Sequence, residues 1–369
     1  MIPLVDVKAA YARHRDAIDA AIRDVVESTA FIQGPQLRAF EEAYAAFCGT
    51  KHAIGVGSGT AALHLALAAA GVGAGDVVAL PAHTFIATVE PVSWLGARPR
   101  FVEIDPLTGA MDPVALKGAI DGVSAVLPVD IHGRPADLEQ IAAVAADAGV
   151  PLIEDAAQAH GAEVVRADGT VVRAGGYGVA GCFSFYPGKN LGAFGDAGAI
   201  TTNDDAFAAT VRRLRDHGRT TKYEHETIGY AHRMDTIQAA VLSAKLSTLD
   251  SDNVRRVALM ARYTGALAGV GDLWFPPATP DRRSVFHHAL VRTAHRDSLL
   301  DFLRERGIGA GVHYPVPVHL QPAYAFLGYR RGDLPATEAW ADECLSLPLY
   351  PELTEAQQDQ VVDAVRAFF

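Results

Sequence analysis

Cysteine is scarce in this sequence, and its distribution excludes two kinds of stabilisation. The three cysteines, Cys48, Cys182 and Cys344, lie far apart and show no C-x-x-C spacing. This pattern argues against a disulfide framework and against a zinc site, and it favours a reducing compartment. Long apolar runs are also missing, and the N-terminus shows no basic segment followed by an apolar one. We therefore expect a cytoplasmic protein with no membrane-spanning segment.

Basic charge is the second shortage. Lysine and arginine total 32 against 43 aspartate and glutamate residues, which gives a net charge of −11. Binding to nucleic acid or to an anionic membrane requires a basic face, so we expect neither partner. Any anionic ligand must be held by a local site that works against the overall field. Half of the 369 residues are hydrophobic, which excludes disorder and suggests about two domains.

Apolar segments without polar alternation, separated by helical patterns, dominate the first 250 residues. This alternation is typical of a sheet covered by helices on both faces. The predicted strands are Ala53–Thr60 (which runs into glycines), Val77–Leu80, Pro99–Ile104, Ala125–Val129, Leu152–Ile153 and Cys182–Phe185. The predicted helices are Ala9–Ser28, Gln36–Phe47, Ala61–Ala68, Asp137–Ala148 and Met234 to about Leu249. Glu163–Arg173 is predicted as a hairpin that turns at Asp168–Gly169.

The pattern changes in the last third of the chain. From Trp274 onward a strand is predicted at Phe286–Val291 and helices at Arg296–Arg306 and Thr354–Ala367, with a proline-rich loop between the two helices. We expect an α/β protein with a large doubly wound, mainly parallel sheet domain over residues 1–250. A smaller C-terminal α/β domain is expected over residues 251–369.

Three segments carry residues suited to chemistry. Gly57–Thr60 lies at a strand-to-helix junction, where glycines and free N–H groups can cradle an anion. Asp155 follows a buried strand, at the end where open α/β sheets bind ligands. Lys189 lies in a glycine- and aromatic-rich loop, where desolvation lowers the pKa of an amine and makes it a nucleophile. Each segment alone also has a structural explanation: a turn, a helix cap or an exposed loop lysine.

Together the three segments meet the needs of pyridoxal 5'-phosphate, which requires a phosphate cradle, an acid beside its ring nitrogen and a lysine for its aldehyde. The sequence resembles the nucleotide-sugar aminotransferases, the DegT-like family of fold-type I pyridoxal-phosphate enzymes. The resemblance runs from Phe31 to Thr354. It is carried by the segments Gly59–Leu63, Pro81–Thr88, Glu154–Gly161 and Ser184–Gly192.

The resemblance implies roles for individual residues. Lys189 corresponds to the Schiff-base lysine, which also moves the proton between cofactor and substrate. Asp155 corresponds to the partner of the ring nitrogen, and Gln158 lies against the ring hydroxyl. The phosphate is assigned to Gly59, Thr60 and Ser184, and stacking on the ring to Phe85, a role that the neighbouring His83 could share. The residues implied on the substrate side are His83, Tyr186, His313, Tyr314 and His319, and no metal is expected.

One segment departs from the family pattern. The family commonly has Gly-x-Asn-x-Arg-Met in a segment that reaches the partner subunit's phosphate, whereas Ala231 stands at the amide position of Gly229–Met234. Either His232 or water replaces this donor, or the phosphate is held more weakly. The segment implies a homodimer with shared active sites.

The resemblance implies transfer of an amino group from glutamate or glutamine to a keto-sugar linked to a nucleoside diphosphate, at carbon 3 of a deoxyhexose. Three alternatives share the same mechanism: amination at carbon 4, amination of a hexuronate and amination of a cyclitol ketone. A sugar dehydratase of the same family is a second alternative. Such members carry histidine at the lysine position, so Lys189 argues against it. A non-catalytic regulatory protein is the third alternative, against which the intact Lys189, Asp155 and phosphate loop argue.

Overall fold

The computed structural model describes residues 1–369, and helices account for much of the chain. None of its helices combines the length and the apolar character needed to cross a bilayer. The twelve α-helices are α1 (Val7–Ser28), α2 (Pro35–Cys48), α3 (Gly59–Ala69), α4 (Glu90–Trp94), α5 (Pro113–Ala119), α6 (Leu138–Asp147), α7 (Asp205–Leu214), α8 (Thr236–Leu246), α9 (Leu249–Ala266), α10 (Arg296–Glu305), α11 (Pro335–Glu343) and α12 (Glu355–Phe368).

Twelve strands complete the regular structure. They are β1 (His52–Val56), β2 (Val77–Pro81), β3 (Arg98–Val102), β4 (Ala125–Val126), β5 (Ile153–Asp155), β6 (Glu163–Val165), β7 (Val171–Arg173), β8 (Ala180–Ser184), β9 (Gly198–Thr202), β10 (Arg282–Arg283), β11 (Ala289–Arg292) and β12 (Cys344–Leu347).

The central sheet is mainly parallel, as predicted. One part has the order β1-β9-β8-β5 and the other the order β3-β2-β4. Parallel bridges join them, between Val126 and Leu152 and between Val129 and Asp155. Only β9 runs antiparallel to its neighbours. The carboxyl ends of β1, β2, β5 and β8 therefore lie along one edge of the sheet, where α/β proteins bind ligands.

Helices cover both faces of this sheet, which confirms the doubly wound architecture. On one face, apolar side chains of α3 such as Leu65 pack with Ile54, Leu80 and Ile153 of the strands. On the other face, Phe40 and Tyr44 of α2 pack with Phe183, Phe185 and Met234. Because the strands are buried from both sides, their sequences are continuously apolar.

Two local predictions have different outcomes. The hairpin is confirmed: β6 and β7 pair antiparallel around Gly169, whose φ of +84° suits a residue without a Cβ. The single long helix from Met234 to about Leu249 is wrong. α8 ends at Leu246, and after a two-residue turn the chain starts the separate helix α9, which extends to Ala266.

A second core lies in the C-terminal part. The antiparallel pair β11–β12 packs with α9, α10 and α12 through side chains such as Tyr263, Leu299 and Val361. Ile2 joins this core and forms a bridge with Ile308, so the first residues of the chain pack with its last third. The proposed division at residue 250 falls in the first turn of α9, and it stays a prediction.

Candidate active site

A cavity of about 570 Å³ opens at the carboxyl edge of the central sheet. Its walls come from the loops after β1, β2, β5 and β8 and from segments of the last third of the chain. Ten residues singled out from the sequence line it: Gly59, Thr60, Phe85, Asp155, Gln158, Ser184, Tyr186, Lys189, His313 and Tyr314. The structure thus brings together residues that are more than 250 positions apart in the chain.

The start of α3 forms an anion cradle on one side of the cavity. Ser58 caps the helix: its Oγ accepts a hydrogen bond from Ala61 N at 3.0 Å, and its carbonyl accepts one from Ala62 N. The N–H groups of Gly59 and Thr60 are left for a ligand, at the positive end of the helix dipole. A Cβ on Gly59 would lie 2.6 Å from Ser184 Cβ, so the cradle requires glycine.

Asp155 ends β5 and is buried at the bottom of the cavity. Its Oδ2 accepts a hydrogen bond from Thr88 Oγ1 at 2.7 Å, and its Oδ1 accepts one from Ala157 N at 3.1 Å. Thr84 Oγ1 lies 2.7 Å from Thr88 Oγ1, so two threonines after β2 form a hydroxyl chain that ends on the carboxylate. Burial raises the pKa of Asp155, and the hydrogen bond from Thr88 lowers it.

Lys189 follows β8 in the loop that faces this carboxylate. Its backbone N–H donates to the carbonyl of Tyr186 at 2.8 Å, which closes a tight turn. Enclosure by the protein lowers the pKa of Lys189 to about 8, and the charge of Asp155 opposes that shift. A substantial fraction of this amine is therefore neutral near physiological pH, as a nucleophile requires.

Gln158 connects the sheet edge with the last third of the chain. Its Oε1 accepts a hydrogen bond from His132 N at 2.6 Å, and its Nε2 donates to the hydroxyl of Tyr314 at 3.2 Å. The Tyr314 ring lies 5.3 Å from the ring of Phe85, centroid to centroid. Phe85 is 52% exposed, so its ring has a free face toward a ligand.

Two histidines that the sequence did not single out form part of the wall. His287 and His288 line the cavity, and the ring of His288 stacks on that of His313 with centroids 3.9 Å apart. Burial lowers the pKa of all three imidazoles, so they are neutral hydrogen-bonding groups. The adjacent pair lies inside a segment with a strand pattern, and only tertiary packing reveals its position.

Two of the expected substrate residues lie outside the lining. His83 is buried with its Nδ1 2.8 Å from the carbonyl of Gly109. His319 is fully enclosed, with its Nε2 3.1 Å from Glu338 Oε1, because the chain turns away from the cavity after Tyr314. Neither side chain is positioned in this structure to contact a ligand in the cavity.

The segment Gly229–Met234, which departs from the family pattern, lies beside β1 of its own chain. Ala231 is exposed, and the Nε2 of His232 lies 3.2 Å from Nδ1 of His64, a residue of α3. His232 is thus engaged within its own chain. Nowhere in the structure do three or more histidine, cysteine or acidic side chains converge in a way that could hold a metal ion.

The donor set of the cavity fits pyridoxal phosphate. Gly59, Thr60 and the Ser184 hydroxyl suit a phosphate, the buried Asp155 suits a protonated ring nitrogen, and the enclosed amine of Lys189 suits an aldehyde. The exposed ring of Phe85 suits an aromatic face.

Comparisons with known proteins agree with this geometry. The model of the DegT/DnrJ/EryC1/StrS aminotransferase family matches residues 13–366. The dTDP-3-amino-3,4,6-trideoxy-alpha-D-glucose transaminase of Streptomyces venezuelae is 47% identical over 99% of this chain and 95% of its own length. A pleiotropic regulatory protein of Geobacillus stearothermophilus is 44% identical over 100% of this chain and 98% of its own.

Among solved structures, S. venezuelae DesV in complex with a ketimine intermediate superposes with a TM-score of 0.96 and 46% identity. The match covers 100% of this chain and 98% of that one. These findings confirm the predicted fold class, aminotransferase activity and pyridoxal phosphate as the cofactor. The chain belongs to the DegT/DnrJ/EryC1/StrS aminotransferase family.

Proposed function

We propose that this aminotransferase acts on a keto-sugar linked to a nucleoside diphosphate and aminates carbon 3 of a deoxyhexose. The Lys189 amine, which lies beside Asp155 and the anion cradle of α3, carries the proposal for the chemistry. For the substrate, support comes from the S. venezuelae relative, whose name specifies a 3-amino trideoxy sugar of dTDP and which matches over 99% of this chain.

Each residue of the site has a proposed task. When bound, pyridoxal phosphate supplies an aldehyde that accepts an amino group and a ring that withdraws electrons. Lys189 Nζ would hold the aldehyde carbon of the cofactor, and its free amine would be the base that moves the proton between cofactor carbon and substrate carbon. The Asp155 carboxylate keeps the ring nitrogen protonated, because an anion within hydrogen-bonding distance favours the charged form.

The other cofactor contacts hold the ring in place. The N–H groups of Gly59 and Thr60 and the hydroxyl of Ser184 bind the phosphate, and Phe85 stacks on the ring. The amide of Gln158 lies against the ring hydroxyl. It remains held there because its oxygen and nitrogen already have partners in His132 and Tyr314.

The sugar is proposed to lie against His313, Tyr314 and Tyr186. Neutral imidazoles and phenols both donate and accept hydrogen bonds. They therefore bind sugar hydroxyls, which also do both, better than they bind anions. Tyr186 is 60% exposed and lies at the mouth of the cavity. The nucleotide part of the substrate would extend out of the cavity there. The proposed amino donor is glutamate or glutamine.

A homodimer completes this proposal. Lys189 is the only cation among the lining residues, whereas glutamate and a diphosphate both bring negative charge. A second copy of the chain is proposed to contribute further groups to the site, because the segment Gly229–Met234 implies shared active sites. Large apolar side chains that are exposed and suit such an interface include Phe31, Ile32, Trp94, Phe194, Tyr223 and Ile228. The cytoplasmic location stays a prediction.

The cofactor assignment is tested by trapping. Borohydride treatment of the yellow holoenzyme is expected to link the cofactor covalently to the peptide that contains Lys189, as read by mass spectrometry. The Lys189→Ala variant serves as the control and should retain no covalent cofactor and no turnover. Turnover by this variant, or a modified lysine elsewhere, would remove the role of Lys189. A catalytically competent monomer in sedimentation would contradict the shared site.

A further inference from the structure

Behind Asp155, a second pair of carboxyl groups is sealed inside the protein. Asp130 and Glu154 both have 0% exposure. A side-chain hydrogen bond between them raises the pKa of Asp130 and lowers that of Glu154. The two segments are tied together through the backbone: Asp130 N donates to Asp155 O at 3.0 Å, and Asp155 N donates to Pro128 O at 2.9 Å. Because consecutive residues of a strand point to opposite faces of the sheet, the Glu154 side chain lies behind that of Asp155.

Three buried anions at one junction would be very costly without matching cations. Lys189 is the cation that acts on Asp155, and no lysine or arginine bonds to Asp130 or Glu154. Two carboxyl groups in contact commonly avoid this cost by sharing one proton. The question is which of the two groups holds it.

The hydrogen-bond partners of the two groups differ. Glu154 accepts from backbone donors at both oxygens, from Gly175 N at 2.8 Å and from Tyr177 N at 3.2 Å. Asp130 accepts at one oxygen only, Oδ1, from Ala136 N at 2.8 Å, and its Oδ2 is buried and accepts no hydrogen bond. An anion suits the group with two donors, and a hydroxyl suits the oxygen that has none.

We propose that Asp130 and Glu154 share a single proton held on Asp130 Oδ2, and that this pair is a positioning element which keeps the Asp155 carboxylate ionised and fixed beneath the cavity. With that proton in place, one negative charge instead of two lies behind Asp155. Burial and the neighbouring carboxyl groups raise the pKa of Asp130. Burial also raises the pKa of Glu154, to about 7, but the hydrogen bonds that Glu154 accepts oppose this rise, which agrees with the proton on Asp130. The role of Asp155 toward the cofactor rests on the proposed function, whereas the shared proton does not.

The location of the proton is tested in cofactor-free protein. The infrared difference between wild type and Asp130→Asn near neutral pH is expected to contain the C=O band of a protonated carboxyl group, which an ionised carboxylate lacks. If the difference spectrum contains only carboxylate bands, Asp130 is ionised and the proposal fails. This readout is independent of activity and of bound cofactor.

An asymmetry between two amide variants gives a second test. Asp130→Asn keeps an acceptor for Ala136 N–H and places a donor toward Glu154, so thermal unfolding should stay close to wild type. Glu154→Gln must turn an NH₂ group toward a backbone N–H and should unfold at a clearly lower temperature. The reverse order would place the proton on Glu154 and overturn the assignment.

The link to Asp155 is tested on the holoenzyme by the pH titration of cofactor absorbance. Asp130→Ala removes the proton donor and is expected to shift the midpoint of this titration, whereas Asp130→Asn should restore the wild-type midpoint. A folded Asp130→Ala variant with an unshifted midpoint would remove the positioning role. If the wild-type protein shows no transaminase activity, the proposed function fails, but the infrared test of the shared proton is unaffected.

Discussion

The hydroxyl of Thr88 lies 2.7 Å from Oδ2 of Asp155 and donates its hydrogen to this carboxylate. Because the Thr88 hydroxyl gives its hydrogen to Asp155, it accepts the hydrogen of the Thr84 hydroxyl. This chain of hydrogen bonds fixes the orientation of the carboxylate. Thr88 lies in the segment Pro81–Thr88, which carries part of the family resemblance, but the sequence predicted no role for it. The contact shows how the segment after β2 supports a residue of β5 at the cavity floor.

Replacement of Thr88 by valine tests this contact. Valine keeps the shape of threonine but cannot donate, and a hydrogen bond to a charged group contributes about 1.5–3 kcal/mol. We expect Thr88→Val to weaken binding of pyridoxamine phosphate by roughly 10-fold to 100-fold in equilibrium titration. Thr88→Ser keeps the hydroxyl and should bind within a few-fold of wild type. Equal affinities for the valine variant and wild type would show that Asp155 does not depend on Thr88.

The cradle at the start of α3 predicts a strong effect of a single methyl group. In Gly59→Ala the new Cβ would lie 2.6 Å from Ser184 Cβ, so the loop must move and the phosphate contacts are disturbed. Cofactor affinity is expected to fall by about 5-fold to 150-fold, since overpacking typically costs about 1–3 kcal/mol. Gly73→Ala is the matched control, because nothing lies within 4 Å of a Cβ there. Similar losses in both variants would indicate a general effect of alanine at glycine.

The lowered pKa of Lys189 predicts the pH dependence of cofactor capture. With a pKa of about 8 in place of 10.5, the amine is roughly one-tenth neutral at pH 7 and about nine-tenths neutral at pH 9. Capture of pyridoxal phosphate by cofactor-free protein, followed by absorbance, should accelerate about 10-fold over this interval and then level off. Pyridoxamine phosphate has no aldehyde, so its binding should not follow this profile. A rate that still rises steeply beyond pH 9.5 would indicate an ordinary lysine.

Replacement of Ala231 by asparagine is expected to increase the affinity for pyridoxamine phosphate. If the segment Gly229–Met234 reaches the partner subunit's phosphate, Ala231→Asn adds the amide donor that the family pattern has at this position. The residue is exposed, so asparagine fits without a clash. Retention of pyridoxamine phosphate in dialysis should improve several-fold, about what one hydrogen bond contributes. Ala231→Ser is a control for polarity alone. Unchanged retention by Ala231→Asn would mean that this position does not face a phosphate.

Helix and strand positions were accessible from the sequence wherever burial imposed a simple pattern. Buried strands such as β2 and β8 are continuously apolar, and amphipathic helices such as α1 show helical spacing. The break between α8 and α9 was missed because Ser247 and Thr248 are not helix breakers like glycine or proline. β9 was not among the predicted strands. Its antiparallel direction depends on the pairing partner and leaves no mark in composition.

The cofactor side of the site was predicted more completely than the substrate side. Lys189, Asp155 and Gly59 lie in strand-end segments whose position follows from the parallel sheet itself. His287 and His288 reach the cavity through packing of the last third of the chain, which no local pattern encodes. His319 has the opposite outcome: it is close in sequence to His313, yet its ring is bonded to Glu338 away from the cavity.

The most direct test of the proposed function is the reverse reaction on matched substrates. Holoenzyme and 2-oxoglutarate are incubated with dTDP-linked 3-amino and 4-amino deoxyhexoses in parallel, and the glutamate released is measured together with the keto-sugar. We expect glutamate release from the 3-amino sugar, none from the Lys189→Ala variant, and much slower release from the 4-amino isomer. Release from the 4-amino isomer alone, or from neither sugar while ordinary amino acids react, would contradict amination at carbon 3 of a nucleotide-linked sugar.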